Sequence, residues 1–134
     1  MFRKTTQRSR TGVAAVEFAV CLPIIMLLVI ATIEACSMIF LKQSLAISAY
    51  EGARTAILPS ATAAQVRAAS DQILSDRRIV GGTVTISPSN FASLSPGNFV
   101  DVTVTAPCGS NTVVPNRFYR GRTISATASM MIEY

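Results

Sequence analysis

The chain has 134 residues, which is enough for one domain with a modest core, and half of its residues are apolar. It contains no histidine, which excludes histidine-based catalytic triads and histidine metal sites. Its formal charge is +5, but the excess is local. The first twelve residues contain no acidic residue and four basic ones, Arg3, Lys4, Arg8 and Arg10.

An apolar run follows this basic arm. Val13–Ile33 carries one charge, Glu17, and is as long as the roughly 20 residues of helix that cross a bilayer core. Basic residues just before such a run usually set membrane topology. We therefore expect a cytoplasmic leader over 1–12, a transmembrane helix over 13–34 and an extracytoplasmic remainder.

Other interpretations of the arm and the run remain open. The arm could bind DNA, and the run could be a buried core helix. A cleaved secretory signal usually has a shorter apolar run of about 7–15 residues. The stretch "IEAC" resembles a lipoprotein cleavage site ahead of Cys36, although Glu34 beside the cut disfavours that interpretation.

Glu17 is unusual in this setting because a carboxylate in hydrocarbon is costly. It lies near the cytoplasmic end of the run, where the cost is lower, so it could be an interfacial glutamate without a special role. Alternatively, a cut after Gly12 would give Val13 a charged amine about one helical turn from Glu17. Pairing of the two, within a chain or between chains, would offset the burial cost and fix an axial register.

These motifs together resemble the TadE-like proteins, pilin-like minor subunits of the tight-adherence (Flp) pilus machinery. The resemblance is carried by "GVAAVEF", by "CLPIIMLL" after it, and by "SAYEGARTAI" at 48–57. It implies cleavage by a prepilin peptidase between Gly12 and Val13, with Glu17 and Phe18 as the processing and assembly motif.

The resemblance also implies location and partners. The protein is expected in a bacterial inner membrane as a single-pass chain, with its C-terminal domain outside and possible incorporation in a pilus. Its expected partners are membrane lipid, the prepilin peptidase, other pilin-like subunits and pilus assembly proteins.

The helical pattern continues beyond the run as an amphipathic stalk over 35–58, which Pro59 should end. A break near 34–37 is the alternative. At 100° per residue, the predicted apolar stripe of the stalk contains Ile39, Ala46, Tyr50, Ala53 and Ile57. Its predicted polar side contains Ser37, Ser44, Ser48, Glu51 and Thr55.

The remaining residues, 59–134, predict a small extracytoplasmic α+β domain. A second helix is expected at about 61–78, capped by Ser60 or Thr62. Apolar and polar residues then alternate with period two, which predicts strands at about 82–87, 98–106 and 122–133. We expect a three-stranded antiparallel sheet whose apolar face is covered by the two helices.

Catalysis finds little support, so we expect a protein that is not an enzyme and uses no metal, cofactor or small-molecule substrate. The three cysteines lack metal-binding spacing, and a buried apolar side chain is the favoured interpretation of Cys108. The loop 117–122, "RFYRGR", mixes cations and aromatics, as nucleic-acid or acidic-surface binders do. A solvated turn with one aromatic anchor is favoured instead, and no nucleic-acid partner is expected.

Two classes of function remain. The first is a processed, pilin-like subunit that assembles through its N-terminal helix. The second is an uncleaved single-pass membrane protein whose extracytoplasmic domain binds a ligand or partner. The N-terminal residue of the mature chain distinguishes them.

Overall fold

The computed structural model of the protein describes residues 11–115 and 117–133. The fold is α+β, as the sequence predicts, and both the second helix and the strands begin and end within two residues of their predicted bounds. The elements in chain order are α1 (Thr11–Ala56), α2 (Ala63–Asp76), β1 (Thr83–Ser87), β2 (Phe99–Pro107) and β3 (Thr123–Met131).

Helix α1 is continuous through 34–37, where a break was the alternative. Pro23 lies inside it and removes one backbone donor, a loss that is tolerated in apolar helices of this kind. The helix ends at Ala56, close before Pro59, because a proline disfavours helical backbone in the residue that precedes it. The chain divides into two compact units between Thr32 and Ile33.

The first unit contains the apolar part of α1. Its large side chains between Val13, at 61%, and Val29, at 46%, are all exposed. Within α1, an 18-residue window reaches a mean hydropathy of 2.7. The helix is therefore long and apolar enough to cross a membrane.

The second unit, from Ile33 onward, is a helix–sheet domain. Its sheet has the order β1-β2-β3, and both pairs are antiparallel. The central strand alternates strictly, with Val100, Val102 and Val104 fully buried on one face. On the other face, Thr103 pairs with Thr85 and Thr127 on the neighbouring strands. Thr85 and Thr127 are exposed to solvent, and Thr103 is half-buried. One apolar face and one hydroxyl face are what the period-two pattern predicts.

The core of this unit lies between the buried sheet face and the two helices. The following residues form one cluster of buried side chains: Met38, Leu41, Leu45, Ala49, Ala53, Ala56, Ala61, Val66, Leu74, Phe91, Val100, Val102, Val104, Ala106, Cys108 and Ala126. Helix α2 begins with a capping box, in which Thr62 and Gln65 satisfy each other's backbone amides. Of the two predicted caps, Thr62 is therefore the one used.

The predicted orientation of the stalk is wrong at several positions, although Ala53 of the predicted apolar stripe is fully buried. Ile39 and Tyr50, placed on the packed stripe, are 58% and 56% exposed, whereas Ser44 and Ser48, placed on the polar side, are fully buried. The reason is size and hydrogen bonding. A serine hydroxyl can be buried in a helix when it donates to a carbonyl, as Ser44 does to Phe40 O at 2.8 Å.

Glycine at position 52 completes the packed face of α1. A Cβ at Gly52 would lie 2.2 Å from Ser70 Oγ on α2 and 3.0 Å from Val102 Cγ1 on β2. Only a residue without a side chain permits this approach. The face of α1 that packs against α2 and β2 is therefore the one with small residues, and not the one with the most apolar residues.

Candidate processing and assembly segment

The predicted processing residues lie in the first turns of α1. Gly12 has open space where a side chain would be, with nothing within 4 Å of a Cβ placed there. Val13 is 61% exposed. Gly12 and Val13 are thus both exposed.

Glu17 and Phe18 lie one turn further along α1. Both are exposed, Phe18 at 61%. Residues four apart share one face of an α-helix, so Glu17 lies on the same face as Val13. The structure therefore brings the predicted cleavage position and the predicted carboxylate together. The four basic residues predicted as the topology signal, Arg3, Lys4, Arg8 and Arg10, lie outside the described residues.

A second carboxylate, at Glu34, has a structural role that sequence reasoning missed. It is fully buried, and its oxygens accept hydrogen bonds from the backbone amides of Phe118 at 3.0 Å and Tyr119 at 2.9 Å. A third, longer contact of 3.4 Å comes from the amide of Arg117. Glu34 thus holds the loop before β3 against α1.

A sequence signal for Glu34 exists in retrospect. It precedes Met38, Leu41 and Leu45 at helical spacing, so it lies on the buried face of α1. A charge on that face requires compensation, and backbone amides supply it here. The amides come from positions 83 to 85 residues away, which periodicity within α1 cannot reveal.

Cys108 is fully buried, as expected for a small apolar side chain. Burial raises the pKa of its thiol above the usual 9.0, and the positive charge of Arg122 opposes that rise. Cys21 and Cys36 are exposed, and all three cysteines are free thiols. Among residues 11–115 and 117–133, no group of three or more histidine, cysteine, aspartate or glutamate side chains could hold a metal ion.

The comparisons with known proteins point to the same segment. Residues 12–54 match the model of the family described as TadE-like protein. The match begins at Gly12 and ends inside α1, so α2 and the three strands lie outside it. No curated protein and no solved structure matches the chain. The family match confirms the resemblance for the residues that it covers, 12–54.

Proposed function

Because residues 12–54 are TadE-like, we propose that the chain is a pilin-like subunit of a tight-adherence (Flp) pilus apparatus. In this proposal a prepilin peptidase removes the leader after Gly12, and the mature chain assembles through the apolar part of α1. The observation that carries the proposal is the family match, which begins at Gly12 and includes Val13, Glu17 and Phe18.

The electrostatics of a helix start give Glu17 its proposed role. A cut after Gly12 would place the new ammonium of Val13 at the positive end of the helix dipole, where a cation is disfavoured. A carboxylate on the next turn would compensate both the ammonium and the positive end of the dipole, in its own chain or in a neighbouring one. This compensation would favour a defined stagger between packed helices.

The exposure of the apolar side chains supports assembly through α1. Large side chains such as Val20, Ile24 and Leu28 are 67%, 63% and 59% exposed. Apolar surface of this extent requires lipid or neighbouring helices around it. We propose both in turn: lipid of the bacterial inner membrane before assembly, with the N-terminus inside, and other pilin-like subunits during it.

The mature N-terminus tests the proposal. The chain is co-expressed with a prepilin peptidase, and its intact mass and N-terminal residue are determined. We expect a chain that begins at Val13, and we expect Gly12→Leu to keep the leader because a side chain would obstruct the protease cleft. Ala19→Leu adds the same side chain to an exposed position of α1 and should be cut normally.

An uncleaved membrane-anchored binding domain is the second candidate. The exposed hydroxyl face of the sheet, for example Thr85 and Thr127, is the surface that favours it. Intact leader on the unmodified chain, or efficient leader removal from Gly12→Leu, would contradict the proposed cleavage site. Intact leader on the unmodified chain would favour the anchored domain.

A further inference from the structure

The loop of residues 117–122, which we call the arginine loop, is tied to one level of α1. The carboxylate of Glu34 accepts hydrogen bonds from the amides of Phe118 and Tyr119. Side chains on an α-helix lean toward the N-terminus of that helix. The bonded amides therefore lie at, or on the N-terminal side of, the level of the Glu34 backbone.

That level is where the apolar part of α1 ends. Glu34 is the first charged residue after Glu17, and Ile33 directly precedes it. If α1 crosses a bilayer with its apolar residues, the chain leaves the hydrocarbon close to Glu34. The arginine loop is hydrogen-bonded to Glu34, so it would lie at the boundary between lipid and water.

The chemistry of the loop matches that boundary. Arg117, Arg120 and Arg122 are exposed, and Phe118 is 51% exposed. No acidic residue occurs between Asp101 and Glu133, and the carboxylate of Glu34, which reaches the loop, is occupied by backbone amides. The loop therefore has three cations without a nearby acidic side chain of its own segment.

Of the two aromatic rings in the loop, one packs against the core. Tyr119 packs against the core, and Arg122 lies over its ring at 6.0 Å from the centroid. Phe118, next to it, does not belong to the core cluster. An exposed aromatic between arginines is the arrangement that membrane interfaces accommodate, with the ring among the upper acyl chains and the guanidinium groups on phosphates.

We propose that the arginine loop contacts the surface of the membrane that α1 crosses, with Phe118 inserted and its arginines on anionic phospholipid headgroups. The proposal rests on the membrane span of the proposed function, but not on leader cleavage or pilus assembly. Such a contact would hold the arginine loop at the surface of the bilayer.

The chain itself offers a direct test because it contains no tryptophan. Phe118→Trp, made in the full chain, places a single fluorophore in the loop. The protein is reconstituted in vesicles of equimolar phosphatidylcholine and phosphatidylglycerol whose acyl chains are brominated near the headgroup. We expect strong quenching of the loop fluorophore, at least half of that shown by Met26→Trp, which marks the apolar part of α1.

Phe99→Trp is the matched control. Phe99 is 60% exposed but begins β2, whereas the loop adjoins the other end of that strand, where Cys108 N donates to Arg122 O at 2.9 Å. The two ends of a nine-residue strand are about 27 Å apart at 3.4 Å per residue. We therefore expect no quenching at position 99.

A charge test separates headgroup binding from simple proximity. In the Phe118→Trp background, Arg117→Gln with Arg120→Gln should remove most of the extra quenching that phosphatidylglycerol gives over pure phosphatidylcholine. Arg54→Gln with Arg67→Gln removes the same charge from exposed helix positions and should leave that quenching intact. Added salt should likewise reduce the quenching of Phe118→Trp when its arginines are intact.

The outcomes are distinct. Quenching of Met26→Trp with none at Phe118→Trp would overturn the loop contact and leave the membrane span standing. A loop fluorophore that responds only when another pilus subunit is added would overturn it as well, in favour of a protein partner. Absence of quenching at Met26→Trp would overturn the span, and the loop contact with it.

Discussion

Ser48 and Ser70 exchange hydrogen bonds across the contact between α1 and α2. The hydroxyl of Ser48 donates to the carbonyl of Ser70 at 2.9 Å, and the hydroxyl of Ser70 donates to the carbonyl of Ser48 at 3.1 Å. Both side chains are fully buried. This reciprocal pair satisfies two buried hydroxyls at once, and it fixes the register of the two helices because neither serine can shift without losing a partner.

Gly52→Ala tests how tightly this contact is packed. The new Cβ would lie 2.2 Å from Ser70 Oγ, so the hydroxyl must move and give up its bond to Ser48. Alanine is the better helix former by about 1 kcal/mol, but overpacking costs about 1–3 kcal/mol. We expect a net loss of up to about 2 kcal/mol in the free energy of unfolding, measured by thermal denaturation of the detergent-solubilised chain.

Two further variants control this result. Gly12→Ala makes the same change in the same helix where nothing lies within 4 Å, and it should not destabilise the sheet domain. In a Ser70→Ala background the closest atom is gone, so Gly52→Ala should cost less there. Equal costs in both backgrounds would show that the clash with Ser70 is not the cause.

Glu34→Gln should loosen the arginine loop. The amide side chain keeps one acceptor oxygen but loses the charge that strengthens bonds to the amides of Phe118 and Tyr119. Hydrogen bonds to charged groups contribute about 1.5–3 kcal/mol, so we expect a loss of about 2 kcal/mol in unfolding free energy. Hydrogen exchange at these two amides should accelerate more than exchange within β2.

Glu51→Gln is the matched control for the loss of charge. Glu51 lies on the same helix and contacts only the exposed Arg54, at 3.6 Å, among the ion pairs of the described residues. Surface pairs of this kind contribute about 0–1 kcal/mol. If Glu34→Gln altered neither exchange nor stability beyond this control, the carboxylate would not be the anchor of the loop.

Periodicity within single elements could predict much of this fold. Period two located all three strands, and Pro59 and the Thr62 box marked where α1 ends and α2 begins. The packed face of α1 could not be predicted in this way. Hydropathy favoured Ile39 and Tyr50, whereas close approach of α2 and β2 required Gly52 and the serines.

The candidate site likewise has one part that the sequence predicts and one part that it does not. The segment from Gly12 to Phe18 is local, and its motif can be recognised from residue types and spacing alone. The partners of Glu34 are not local: they are backbone amides from a distant loop, and any residue except proline would supply them. A contact made by backbone atoms leaves no residue type to recognise.

Cys108 should make stability fall at alkaline pH. Burial raises the pKa of its thiol in the folded state above the usual 9.0, so the folded chain retains a proton that the unfolded chain loses. The stabilisation is complete below about pH 9 and is lost as pH rises through the folded-state value. We expect the unfolding free energy to decline more steeply above that pH in the unmodified chain than in Cys108→Ala.

The comparison of slopes, rather than of absolute stabilities, isolates the thiol, because Cys108→Ala also leaves a small cavity. Cys36→Ala removes an exposed thiol and should keep the slope of the unmodified chain. Parallel curves for the unmodified chain and Cys108→Ala would mean that the buried thiol does not carry this pH dependence.

Glu17→Gln separates assembly from simple anchoring. Glutamine preserves shape and hydrogen bonding but cannot neutralise the proposed Val13 amine. Removing one member of a buried ion pair costs about 3–5 kcal/mol, less at an interface, and even about 1.4 kcal/mol weakens each association tenfold. We expect normal membrane level and normal cleavage after Gly12, but greatly reduced recovery of pilus-apparatus partners by crosslinking and pull-down.

Glu17→Asp provides the matched comparison because it keeps the carboxylate on a shorter side chain. If charge pairing drives assembly, the aspartate variant should recover more partner than the glutamine variant at equal protein level. If the carboxylate were needed only by the peptidase, Glu17→Gln would instead accumulate with its leader attached. Full partner recovery by a mature glutamine variant would leave the charge pair without a role, and an interfacial glutamate would then be the better account of position 17.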